Sequence, residues 1–499
     1  MKHPIFCATG LVCAMSAVTG CGSAPASSPP PAASVASPAS SGAAASCDYY
    51  DYRFELDAEL RTLSAVLCFD GPPPPALVCG PQGDVEYAPV AERISGEGVA
   101  QLTTQRCRIP LDSLLPGDCV RYAVDLRTLD GEFPLRRTTE GRDVVTAQVG
   151  AFLFRPEVRG VRLHGHATFS VPDGMRVSLP WQRDADGFLL DASVFEQTGY
   201  AVFGSFDSEI VVAAGATLDV AILDTLSPTT RAAIVPFVTR AAQTAAQIGG
   251  AFPGDRAQLV LAPQPGAGGV RFGMVARGGG ASVVFVFGRD STEGELIESW
   301  EPGHELTHLR TPFVTRSDRW LTEGIATYYQ EVLRARAGTT TPQHAWKRLV
   351  TGLSRGAEVG TGRTLRQESK DMYDSGAFQR VYWAGAAVAF LIDVELRRVT
   401  ENATSLDTVV SGLQQCCARD ARAWTVSDMI ARMDQIAGHD VVQRVSGQHL
   451  DRAEFPALAE TFAALGVMIR GGDVTLDDAA PLKRVRDAIM APVPSPRVD

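Results

Sequence analysis

Two histidines four residues apart, with a glutamate directly after the first, are the residues of this chain whose types and spacing most directly suggest chemistry: His304-Glu305-Leu306-Thr307-His308. On an α-helix, residues four apart lie about 40° apart around the axis, so both imidazoles can face one metal ion. Glu305, about 100° from His304, can then address a water beside that ion. The pattern suits zinc-assisted hydrolysis with the glutamate as proton acceptor. A catalytic zinc needs a third protein ligand and one open position. Glu323, in Trp320-Leu321-Thr322-Glu323-Gly324-Ile325-Ala326, can supply that ligand near the start of a second helix, once residues 311–319 have turned the chain back.

These two segments together resemble the gluzincin metallopeptidases. The second is similar to the W-L-x-E-G-x-A motif of the membrane alanyl aminopeptidases, and Tyr328-Tyr329 with Arg336-Ala337-Gly338 is similar to the bacterial glycyl aminopeptidases. The resemblance spans about residues 231–413 and implies one Zn2+ per chain held by His304, His308 and Glu323, with Glu305 catalytic. Val381-Tyr382-Trp383-Ala384-Gly385-Ala386 resembles the V-Y-x-x-G-A segment of the same families. That likeness implies a catalytic Tyr382 donating a hydrogen bond to the developing oxyanion. Thr327, one helical turn after Glu323, could orient a ligand.

The chain also departs from these families. Fourteen residues separate His308 from Glu323, fewer than in the alanyl aminopeptidases, which points to a divergent branch. Pro302-Gly303 precedes His304, so the helix should begin at Pro302 or kink there. Where the aminopeptidases carry a G-x-M-E-N segment whose glutamate binds the substrate amine, residues 278–284 hold no carboxylate.

Secondary structure has to position these residues. From Cys47 to about Leu223 the pattern is β: Phe54, Leu56, Ala58 and Leu60 alternate with charged residues, and short apolar runs are separated by Gly, Pro and Asp. His164 and His166 share a strand face but lack a third ligand, so they read as a solvated face. After Ser227-Pro228 a helix is expected through Ile248, then strands at Leu259 to Ala262 and Ser282 to Phe287. Helices follow at Leu296 to Leu309, Trp320 to Arg336 and Val381 to Val399, and a last one places Leu482, Val485 and Ile489 on one face. The apolar run from Val381 to Ile392 is too short to cross a bilayer and should be a core helix.

Composition fits a soluble globular protein, with 45% hydrophobic and 21% charged residues among 499. A net charge of −11 argues against a phosphate-backbone partner, so no nucleic acid is expected. Met1, Lys2 and His3 precede an apolar stretch from Ile5 to Val18, shaped like an export signal. It ends in Val18-Thr19-Gly20-Cys21, which resembles the bacterial lipobox and implies a lipid on Cys21. Gly22 to Ser46, nearly all Ala, Ser, Pro and Gly, suits a tether. An exported compartment permits disulfides, and Cys68 to Cys79 and Cys107 to Cys119 are plausible short-range bridges, although spacing does not fix connectivity.

The sequence therefore predicts a multidomain α+β chain. Residues 1–20 form a lipoprotein signal peptide, 21–46 the tether, and 47–226 a β-rich, sandwich-like N-terminal domain. Residues 227–345 form a thermolysin-like zinc peptidase domain and 346–499 a helical C-terminal domain. The expected protein is a zinc metallopeptidase acting on peptide or protein substrates, membrane-attached through Cys21 and exported to the bacterial cell envelope. Endo- versus aminopeptidase action, oligomeric state and membrane leaflet stay open. The alternative is a catalytically inactive peptidase-fold lipoprotein serving as a binding scaffold.

Overall fold

The computed structural model describes residues 47–81, 88–128, 136–139, 142–158, 162–420 and 422–493. The expected signal, Cys21 and the tether lie outside them. The chain is a mixed α+β protein: its described residues between 47 and 204 contribute strands to three sheets, and those after Glu301 are mostly helical.

The largest sheet has seven strands and starts with Cys47–Leu56, which pairs antiparallel with Thr62–Cys68 and parallel with Arg162–Ser170. Tyr52, Phe54 and Leu56 face the core while Arg53 and Glu55 face water. The alternation ends earlier than expected: Ala58 is exposed, because Asp57 Oδ1 accepts the Glu59 and Arg61 N–H groups and turns the chain. Strand pairing also corrects the expected disulfides. Register places Cys68 opposite Cys119, and these two are bonded across 51 residues with Cα atoms 3.9 Å apart. Cys79 bonds Cys107, and Cys416 bonds its neighbour Cys417. Sheet register, not closeness in sequence, chose the partners of the first two bridges. His164 and His166 lie half-buried on one strand face, His166 Nε2 being 3.1 Å from Asp184 Oδ1.

A second, five-stranded sheet underlies the candidate site, in the order Asp207–Ala213, Ala216–Ile222, Arg256–Gln264, Ala281–Gly288, Val270–Ala276. Its first two strands come from the stretch expected to belong to the N-terminal β part, for Ala216–Ile222 pairs in parallel with Arg256–Gln264. Arg256–Gln264 and Ala281–Gly288 are buried on both faces, which explains their unbroken apolar runs. One face packs on helix Pro228–Ala245, and the other packs on Val144, Tyr200 and Val202 of the preceding four-stranded sheet and on Phe206 of the connection that follows it. That helix starts where the sequence indicates, with Ser227 Oγ accepting the Thr230 N–H and Pro228 opening the first turn.

The single helix expected from Leu296 to Leu309 is two, Glu293–Ile297 and Glu301–His308. Pro302 lies in the first turn of the second, where its missing N–H costs nothing. Trp320–Arg336 is buried along its whole length, and Phe378–Val399 lies against it in the largest apolar core. Among the described residues no helix is long and apolar enough to cross a membrane. The C-terminal part adds a hairpin absent from the sequence reading, Val467–Arg470 with Asp473–Leu476, and ends in Lys483–Met490, whose Val485 and Ile489 are buried.

Candidate active site

Helix Glu301–His308 presents His304 and His308 on one side, their ring centroids 5.0 Å apart and their planes nearly perpendicular. The chain then reverses through residues 309–319, pinned by the Thr315 N–H to the Trp424 carbonyl at 2.9 Å and the Trp424 N–H to the Phe313 carbonyl at 2.8 Å. Trp320–Arg336 brings Glu323 back onto the histidines. Its Oε2 stands 3.4 Å from His304 Nε2 and 3.4 Å from His308 Nε2. The three donor atoms lie within 4.8 Å of one another.

Two observations show that this group fits a zinc ion. Atoms each about 2.1 Å from a tetrahedral zinc are separated by about 3.4 Å, the spacing found between the carboxylate and each imidazole. Glu323 Oε2 is also buried without a properly formed hydrogen bond, which is costly unless a cation satisfies it. Burial opposes ionisation of Glu323, but His308 and His304 outweigh it and hold the carboxyl well below its ordinary range. The donor set is therefore a carboxylate and two imidazoles.

Glu305 lies against the edge strand Val270–Ala276. A Cβ on Gly273 would come within 2.3 Å of Glu305 Cγ, so glycine there makes the room that the glutamate occupies. Burial raises the Glu305 carboxyl above its ordinary value, an effect that Glu323 reinforces and His304 and His308 partly offset. A carboxylate poised this way accepts a proton more readily than a solvated one. Tyr382, on Phe378–Val399, stacks on His304 with ring centroids 5.9 Å apart and planes 16° apart. Burial, followed by the Glu323 charge, pushes its hydroxyl well above its usual range, so it stays a proton donor at neutral pH. The structure thus brings together all five sequence-predicted residues, His304, Glu305, His308, Glu323 and Tyr382. The helices that carry Glu323 and Tyr382 meet at Gly324 and Gly385.

Other residues at the site escaped the sequence reading. Gln330 Oε1 lies 3.3 Å from His304 Nδ1, which directs Nε2 toward the carboxylate. Its signal was available, since a residue seven after Glu323 returns to the same helix face. Thr327, the candidate for such a role, leaves its hydroxyl buried without a hydrogen bond. Arg277 donates to the His308 carbonyl and, at 2.6 Å, to the Thr311 carbonyl, fixing the end of the histidine helix. Nothing in the local sequence marks it. The strand bordering the site was not anticipated from the sequence, whereas the glycine-rich turn after it was. Residues 278–280 form a turn against Trp181 and Pro180, and the bordering strand is Val270–Ala276, which likewise has no carboxylate.

No family model matches the sequence, and no curated protein matches it. Solved structures do. An aminopeptidase N family protein from Idiomarina loihiensis superposes with a TM-score of 0.61 at 15% identity, over 84% of this chain and 79% of that one. A variant of an M1 zinc metallopeptidase from Deinococcus radiodurans, bound to a Tyr-Ser-Ala substrate, gives 0.52 at 13% identity, over 83% of this chain and 95% of that one. Native yeast LTA4 hydrolase gives 0.50 at 12% identity, over 82% of this chain and 68% of that one. The structural neighbours are M1-family, aminopeptidase N-like zinc metallopeptidases, and this chain shares their fold.

Proposed function

We propose that this chain is a zinc-dependent metallopeptidase, with a thermolysin-like catalytic domain, that hydrolyses peptide bonds outside the cytoplasm while tethered to a membrane by a lipid on Cys21. One observation carries the catalytic reading: the convergence of both imidazoles on Glu323 Oε2, with Glu305 and Tyr382 beside them. His304, His308 and Glu323 would hold one Zn2+ per chain. Bound there, zinc supplies Lewis acidity, which makes water a stronger acid and a peptide carbonyl a better electrophile. Glu305 takes the proton of the attacking water and delivers it to the departing nitrogen. Tyr382 donates its O–H to the carbonyl oxygen as negative charge gathers there. Gln330 keeps the His304 ring in its working orientation.

Glu305→Gln tests this reading against the inert-scaffold alternative. Glutamine keeps the size of the side chain but accepts no proton at neutral pH, so zinc should stay near one per chain while peptide hydrolysis falls by ~10²–10⁴. His308→Ala should lose both metal and activity, since three protein ligands are the minimum for such a site. Zinc-loaded wild type that cuts nothing in a broad peptide library, and cannot be told from Glu305→Gln, would make the scaffold reading correct. The lipid proposal has its own check: wild type should partition with membranes, and Cys21→Ala should not.

A further inference from the structure

Of the three disulfides among the described residues, one joins nothing distant. Cys68–Cys119 and Cys79–Cys107 span sequence separations of 51 and 28, whereas Cys416 and Cys417 are neighbours. A bridge stabilises a fold largely through the loop entropy it removes from the unfolded chain, and that gain shrinks with the loop. Bonding two neighbours staples no segments together, so its effect is local. The pair stands at the end of helix Leu406–Cys416. There the Leu413 carbonyl accepts both the Cys417 N–H at 2.9 Å and the Ala418 N–H at 3.0 Å, and the Cys417 carbonyl accepts the Asp420 N–H at 3.0 Å. Cys417 is buried but Cys416 is exposed, and Arg432 Nε lies 3.4 Å from Cys416 Sγ. An accessible sulfur beside a guanidinium is the setting of a reactive cysteine, because the positive charge stabilises its thiolate.

Both flanks of the pair hold the segment that follows the second histidine. Before it, Gln414 Oε1 accepts from Arg310. After it, the Ala418 carbonyl accepts from Arg277 Nη1 at 3.5 Å, and the same guanidinium donates to the His308 and Thr311 carbonyls. Trp424, whose indole N–H donates to Asp420 Oδ2 at 3.1 Å, exchanges backbone hydrogen bonds with Phe313 and Thr315. Opening the ring frees the backbone between the two cysteines, and that freedom enters midway between these holds.

Resting on the zinc-site reading above, we propose that Cys416–Cys417 is a thiol–disulfide exchange site for dithiol reductants, and that its reduction loosens residues 308–315 and weakens the hold of His308 on the metal. In the exchange a thiolate of the reductant attacks Cys416 Sγ. The bond between the cysteines breaks, and Cys417 leaves as a thiolate that takes up a proton. The second thiol of the reductant then displaces Cys416 and closes the reductant's own disulfide. The products are two cysteine thiols and one oxidised dithiol.

The test titrates metal-free, full-length wild type with dithiothreitol under native conditions, traps thiols with iodoacetamide and maps them by mass spectrometry. Cys416 and Cys417 should be alkylated at roughly a tenth of the dithiol concentration that opens Cys68–Cys119 or Cys79–Cys107. At that concentration, hydrogen exchange at the Thr315 and Trp424 amides should quicken roughly tenfold, and reoxidation should restore it. Cys416→Ser/Cys417→Ser should show the fast exchange without reductant. It should also release zinc to a chelator roughly tenfold faster than oxidised wild type, the scale of a lost outer support for a metal ligand. A pair that opens no sooner than the other two bridges overturns the proposal. So does exchange at Thr315 and Trp424 that is the same before and after reduction, or zinc release that is the same in the double serine variant. If that variant does not fold, the titration of wild type decides alone. Peptide cleavage separates the two readings: wild type that cuts nothing removes the peptidase and leaves these readouts standing, whereas an active peptidase whose amide exchange and zinc release ignore the pair removes the exchange site alone.

Discussion

Gly324 and Gly385 meet backbone to backbone at the crossing of Trp320–Arg336 and Phe378–Val399. A Cβ on Gly324 would lie 2.3 Å from the Gly385 carbonyl carbon, and one on Gly385 would lie 2.1 Å from the Trp320 carbonyl oxygen. Glu323 adjoins the first glycine and Tyr382 precedes the second by one turn, so this contact sets the distance between carboxylate and phenol.

Gly324→Ala should therefore push the helices apart. Overpacking of this kind costs about 1–3 kcal/mol, and a shift of about 1 Å in a catalytic group can cost ~10² in rate. Denaturation midpoints and peptide turnover measure the two effects. Gly447, in helix Val441–His449 with nothing within 4 Å of a Cβ, is the control: Gly447→Ala should stabilise by about 0.5–1 kcal/mol and leave turnover alone.

Tyr382→Phe should keep its zinc and lower turnover by ~10², the scale of one lost oxyanion donor. Since burial and Glu323 keep the Tyr382 hydroxyl protonated far into alkaline pH, the high-pH side of the activity profile should not move in this variant. Unchanged turnover would return Tyr382 to a packing role.

Glu301 offers a pH test of stability. Burial, with a smaller contribution from Glu305, lifts its carboxyl to about 7, and its Oε2 is buried without a hydrogen bond. Below the ordinary carboxyl range both folded and unfolded states hold the proton; between there and about 7 only the folded state does. Stability should then fall as pH rises through that window, by about 3 kcal/mol in total. Glu301→Gln removes this fall. Urea unfolding of metal-free protein at pH 5 and pH 8 should show the variant gaining on wild type mainly at the higher pH.

With no carboxylate on Val270–Ala276 or in residues 278–284, substrate binding should not depend on a free amine. N-acetylated peptides should be cut at least as fast as their free counterparts. A strong preference for free amino termini, measured as kcat/KM on matched pairs, would refute this.

The site was legible in the sequence where one helix carries the information. His304 and His308 declare themselves by spacing, and Glu323-Gly324 and Tyr382 with Gly385 by local motifs whose glycines the helix crossing explains. Groups that reach the site from elsewhere were not legible. Arg277 acts through a carbonyl 31 residues away, and Cys119 finds Cys68 only through register. The edge strand Val270–Ala276 was missed because Arg271 and Gly273 interrupt its apolar residues. Gly273 acquires meaning only once Glu305 rests on it.

The five-stranded sheet has a consequence for cutting the chain. Because Asp207–Ala213 and Ala216–Ile222 complete it, a fragment beginning at residue 227 leaves Arg256–Gln264, buried on both faces in the intact protein, as a bare apolar edge. Unpaired edges of that kind template aggregation. Proteolysis that severs the chain near residue 226 without releasing the first part should leave the sheet intact, whereas expression of residues 227–499 alone should yield insoluble protein. A soluble fragment must begin ahead of Asp207 and must also replace the cover that Tyr200, Val202 and Phe206 give the sheet's outer face.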